Sequence, residues 1–133
     1  YSEEVIWHPK TETNPEYHYD EIFKAIKTAA SHLPRVDAIG VSAAGVYIDN
    51  RVMVASLFIK VPDELFDEKV KDIFLKIQKE MGEVPIEVAN DGDVTALAGA
   101  MDLDDNNVLG IAMGTSEAGG YVDGHGNLTE MLW

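Results

Sequence analysis

The sequence predicts an α/β protein, a mixed sheet with flanking helices. Three observations carry that expectation. Stretches with apolar residues at helical spacing alternate with short apolar runs of strand length. Most of these runs end in glycine or small-residue turns. Two of them flank a short polar turn in the manner of a hairpin.

Along the chain, Val5-Ile6-Trp7 reads as a short strand cut off by Pro9. Asn14-Pro15-Glu16 starts a helix: a capping amide, proline at the first helical position, then an acid that the helix dipole favours. Tyr19, Ile22, Phe23, Ile26, Ala30 and Leu33 share one face of it, and Pro34 ends it. A largely apolar strand follows over 36–42, then the small turn Ala43-Ala44-Gly45. Val46-Tyr47-Ile48 and Val52-Met53-Val54 flank Asp49-Asn50-Arg51 as a hairpin. A second helix carries Phe66, Val70, Ile73, Phe74, Ile77 and Met81 on its inner face and stops at Gly82.

Pro85-Ile86-Glu87-Val88-Ala89 is the next strand. Asn90-Asp91-Gly92-Asp93 turns the chain into a third helix, expected to face inward with Val94, Leu97, Ala98 and Met101. The acidic segment 102–107 is the best candidate for a boundary, dividing the chain into 1–104 and the start of a second domain over 105–133. Val108 to Met113 is continuously apolar, as for a strand covered on both faces. Gly114-Thr115-Ser116 is a turn, Gly119 to Val122 a strand, and Asp123 to Asn127 a tight turn that exposes His125. Phe23, Phe66, Phe74, Met81 and Met101 are core candidates.

Twenty-four acidic against ten basic side chains give a net charge of −14. That field repels a phosphate backbone, and no Lys/Arg cluster offsets it, which argues against nucleic acid and anionic membranes as partners. The absence of cysteine excludes disulfides and thiolate metal sites. No apolar run approaches the ~20 residues of a membrane span and no signal-peptide pattern opens the chain, so a cytoplasmic location is the default expectation. His8, His18, His32 and His125 lie far apart without ligand spacing, and no metal site is read.

Three segments share a further pattern: Ile39-Gly40-Val41-Ser42-Ala43-Ala44-Gly45, Val88-Ala89-Asn90-Asp91, and Asn107 through Met113 into Gly114-Thr115. In order and rough spacing they resemble the ROK (repressor, open reading frame, kinase) sugar kinases. The resemblance implies a ribonuclease H-like, actin-type ATPase fold, incomplete at both ends. It implies Asp91 as catalytic base, Asn90, Ser42 and Gly45 on the sugar, and Gly114, Thr115 and Ser116 on nucleotide phosphate. ATP and Mg2+ follow as cofactors, a small-molecule sugar and a nucleotide as partners, and a homodimer is common in the family. The family's first phosphate hairpin would precede Val5 and most of its second domain would follow Trp133. The chain therefore reads as the middle of a longer protein, not expected to turn over alone.

The sequence departs from the family at several points. Ala44 stands where proline is common, and Gly92-Asp93 replaces a small residue and an asparagine. The phosphate loop reads Gly114-Thr115-Ser116-Glu117-Ala118-Gly119-Gly120, with a carboxylate among the glycines. An acid beside a phosphate site opposes nucleotide binding unless it points away or holds a cation. Two functions are therefore carried forward: a kinase, and a non-catalytic sugar- or partner-binding relative with decayed phosphate loops.

The residues themselves favour a ligand site at Asp91. It stands at the carboxyl end of a strand and the amino end of a helix, where open α/β sheets bind ligands. The alternative is that Asp91 or Asn90 only caps the helix. Gly114-Thr115-Ser116 offers N–H groups and hydroxyls as a phosphate nest, against a plain hairpin turn. Asp93 beside Mg2+ is set against the commoner dipole role of an acid in a first turn.

Overall fold

A computed structural model describes residues 8–114 and 117–129, and within them the protein is mixed α/β. The proposed strand at Val5–Trp7, together with Thr115, Ser116 and Trp133, lies outside the described residues.

Helix α1 spans Pro15–Ser31, and its cap is the expected one: Asn14 accepts the Glu16 N–H at 3.0 Å. It stops before Pro34, leaving Leu33 beyond its end and exposed. Strands β1 (Ile39–Ala43) and β4 (Ile86–Asn90) pair in parallel, in register from Ile39↔Ile86 to Ala43↔Asn90. Between them β2 (Val46–Ile48) and β3 (Arg51–Val54) form the expected hairpin. Its two-residue turn holds Asp49 and Asn50 at φ of 50° and 63°, the left-handed pair that suits the strand twist. Asn50 then reaches out of the turn to β4. Its amide donates to the Ile86 carbonyl at 3.1 Å and accepts the Val88 N–H at 2.8 Å, satisfying that strand edge as a neighbouring backbone would.

The single helix expected over 66–81 is two helices, α2 (Asp63–Lys69) and α3 (Ile73–Glu80). The interruption at 70–72 has a tertiary cause. The freed Lys71 carbonyl accepts the Val52 N–H of β3 at 2.9 Å, and Asp72 meets Arg51 at 3.0 Å. Docking to the sheet outweighs the modest cost of breaking a helix whose local propensity would carry it through. Val52, Phe58, Val70, Ile73, Phe74 and Ile77 form the centre of the main core, with Phe23, Phe66 and Met81 packed around it.

Helix α4 (Asp91–Leu103) corrects the sequence reading most sharply. The expected inward face fails: Leu97 is exposed and Met101 is 74% exposed, so Met101 is no core residue. Gly92, Asp93, Ala96 and Ala100 are buried instead. The reason is the surface they meet. Strands β5 (Val108–Met113) and β6 (Glu117–Val122) pair antiparallel with Gly110 opposite Gly120. A Cβ on Gly110 would lie 2.3 Å from the Ala96 nitrogen, and one on Gly120 would lie 2.4 Å from the Gly92 carbonyl. Helix backbone thus sits directly on sheet backbone, and only small residues fit between them.

This seam also changes β5. Its Gly110 face is covered by α4, but Leu109, Ile111 and Met113 on the other face are exposed, so among the described residues the strand is covered on one side only. Strand β7 (Leu128–Thr129) pairs with β6 and completes a three-stranded sheet. In the turn before it, Asp123 accepts the N–H groups of His125 and Asn127 at 2.8 and 2.9 Å. The Asn127 and His125 contacts hold the Asp123 carboxyl below its usual range. No helix among the described residues is long and apolar enough to cross a membrane.

The seam predicts an asymmetry between two glycines. Gly110→Ala is expected to lose about 1–3 kcal/mol, the usual cost of forcing atoms into a filled contact. Gly99→Ala, whose Cβ would sit 3.4 Å from the Val108 side chain, should be near neutral because helix propensity offsets the tight contact. Urea denaturation of both variants measures the difference.

Candidate functional site

Parallel strands deliver their carboxyl ends to one side of the sheet, and that is where this chain concentrates its polar groups. Strand β1 runs into the turn Ala44-Gly45 and β4 runs into Asp91. Gly45 adopts φ of 140°, and a Cβ there would lie 2.6 Å from the Val54 carbonyl, so glycine is required on two counts.

Asn90 joins these pieces. Its side chain is buried, at 6% exposure, between the turn and the helix. The carbonyl oxygen accepts the Gly92 N–H at 2.8 Å and caps α4, while the amide nitrogen donates to the Gly45 carbonyl at 2.8 Å. One amide therefore fixes the start of a helix and the wall of a cleft. Both the capping reading and a place in the site are met at once, and one N–H of the amide is left over for a ligand.

Asp91 is half-buried at the same point, with Oδ1 3.2 Å from the Gly92 nitrogen. Its own backbone carbonyl accepts the Thr95 hydroxyl at 2.8 Å, which ties down the first turn of the helix. The carboxylate faces a cleft of about 220 Å³. Gly45, Val46 and Asn90 line one side with Asp91, and Glu117 and Ala118 of β6 line the other. A wider hollow of about 360 Å³ lies at the far end of α4, beside Met101, Asp104 and Asn106. It is remote from the strand ends, and its lining carries none of the groups that meet at Asp91.

Tyr47 supports the cleft from behind. Its hydroxyl donates to the Ala44 carbonyl at 3.0 Å, and its ring stands edge-on to Phe74 at 6.2 Å. Burial, and then the nearby Asp91 carboxylate, push the hydroxyl up to about 12. In the sequence Tyr47 is merely one residue of a strand; nothing local marks it as the brace of the preceding turn.

The expected site residues divide accordingly. Gly45, Asn90 and Asp91 come together at the cleft. Ser42 is exposed on β1 and is not part of the lining. Gly114 is exposed just past the end of β5, while Thr115 and Ser116 lie outside the described residues. Glu117, the carboxylate that departs from the glycine pattern, is in the wall opposite Asp91. Asp93 is buried on the face of α4 that meets β6, outside the cleft lining. Among the described residues no three His, Asp or Glu side chains converge as a metal site. The chain matches no protein-family model, and no curated protein is similar to it at a significant level.

Two measurements follow. Asn90→Ala should cost about 2–3 kcal/mol, about 1 from the lost cap and the rest from the stranded Gly45 carbonyl. Asn90→Ser, which can still cap but is too short to reach Gly45, should cost roughly half as much in the same denaturation assay. For Tyr47, the folded value of about 12 stands above the ordinary 10.0. The unfolded chain then releases this proton first, so stability should fall as pH rises from about 10 to about 12. Tyr47→Phe should flatten that part of the stability-against-pH curve.

Proposed function

We propose that the chain forms the sugar-side part of an actin-like, ROK-type sugar kinase, with Asp91 as the base that takes a proton from a sugar hydroxyl. The observation that supports this reading best is the setting of Asp91. It is a half-buried carboxylate at the converging ends of parallel strands, and it looks across a cleft at the hairpin that begins after β5.

In this reading the sugar hydroxyl lies against Asp91, which accepts its proton as the oxygen bonds to the γ-phosphorus of ATP. The phosphorus–oxygen bond to the departing ADP breaks in the same displacement. Asn90 offers the sugar its spare N–H, and Gly45 allows the sugar to approach backbone. The β5–β6 hairpin carries the phosphate side of the cleft. This chain presents Mg2+ with no ready-made set of three ligands, so the ion would arrive on the nucleotide's phosphates, as is usual for it. A sugar-binding relative without catalysis is the second reading, favoured by the carboxylate of Glu117 on the wall where phosphate would approach.

Asp91→Asn in the intact protein tests the base. Sugar-dependent ATP consumption should fall 10²–10⁴-fold while sugar affinity stays within a few-fold, because the loss is of proton transfer and not of shape. Wild-type turnover in this variant removes Asp91 from that role. Calorimetry separates the second reading: sugar binding without Mg-ATP binding supports it, and tight Mg-ATP binding rules it out.

A further inference from the structure

Glu117 is the feature of the cleft that the kinase reading does not explain. It stands across from Asp91 at the start of β6, held there because Gly119 and Gly120 lie against α4 behind it. Its position is a consequence of backbone packing, not of a mobile side chain reaching in. The other lining groups are a buried amide, a glycine and small or apolar side chains, and none is basic. The ion pairs among the described residues, at Arg35–Asp37, Arg51–Asp72 and Lys69–Glu16, involve neither Asp91 nor Glu117. The surrounding field is that of a chain with net charge −14.

Such a cleft discriminates by charge. It raises the local concentration of cations and penalises an anion brought in without a counter-ion. A neutral sugar gains nothing from the second carboxylate, and the Glu117 oxygens, which only accept, are matched best by a ligand with charged donors. Asp91 can serve a hydroxyl on one wall while Glu117 holds a positive group on the other.

From this geometry we infer that Glu117 is the specificity-determining residue of the cleft and that it selects a sugar bearing a free amine. The inference rests on the sugar-binding reading of the site and narrows it to amino sugars. Acetylation of that amine removes both the charge and two of its three N–H donors. An N-acetylated sugar therefore loses the advantage.

The test is calorimetric titration of the intact protein with glucosamine, glucose and N-acetylglucosamine, at low salt and slightly acidic pH where the amine is protonated. Glucosamine should bind roughly tenfold more tightly than glucose, the gain of one charge-assisted hydrogen bond. The ratio should shrink as salt is raised. In Glu117→Gln it should fall close to one. Equal affinity for glucose and glucosamine in the wild type overturns the inference and leaves the sugar site standing, as does a preference that survives Glu117→Gln. Binding of Mg2+ alone that depends on Glu117, with no amine preference, assigns the carboxylate to the metal and also overturns it. If none of the sugars binds, the sugar-site reading falls together with the inference.

Discussion

The site is held in shape by the side chain of Asn90. Three segments far apart in the chain end at this amide: the turn after β1, the last residue of β4, and the first turn of α4. Each brings a backbone group that burial would otherwise leave expensive. The amide satisfies the Gly45 carbonyl and the Gly92 N–H together, so the distance between the cleft wall and the helix start is fixed by one rigid planar group. Asp91 inherits its position from that arrangement. It needs no partner of its own to be aimed, because the backbone before and after it is already tied.

The second constraint is the seam of small residues between α4 and the β5–β6 pair. Where a usual helix would hold a sheet off with leucines, this one lets its backbone touch the strands at Gly92, Gly110 and Gly120. The exchange is unusual energetically. Little apolar area is removed from water there, and the contact relies on close dispersion packing between main chains. What it achieves is proximity: the hairpin that carries Glu117 is brought up to the strand ends that carry Asp91. Helix α4 therefore links both walls of the cleft, through Asn90 at its start and through its glycine face along its length.

Much of this was legible in the sequence, and the exceptions share a cause. The cap at Asn14, the hairpin around Asp49 and Asn50, the stop at Gly82 and the turn at Asp123 depend on local chemistry, and the structure has each of them. The elements that differ depend on partners. Apolar periodicity assigned Leu97 and Met101 to the inside of α4, because hydrophobic size is the usual guide to a buried face. It could not register that glycines on two later strands would reward Ala96 and Ala100 instead. The break between α2 and α3 is invisible for the same reason, since Val52 and Arg51 create it from β3. In the site, Gly45, Asn90 and Asp91 were identifiable from their places at strand ends. Tyr47 was not, because its role is a single hydrogen bond to a backbone carbonyl three residues earlier.

The central claim is that a sugar occupies the space between the Asn90 clamp and the β5–β6 hairpin. Backbone amide NMR of the intact protein during a hexose titration tests it most directly. The account predicts saturable shifts gathered at Gly45, Val46, Asp91, Gly92, Glu117 and Ala118, with the distant end of α4 near Asp104 unmoved. Shifts centred on that far end, or no saturable response to any hexose, would contradict it.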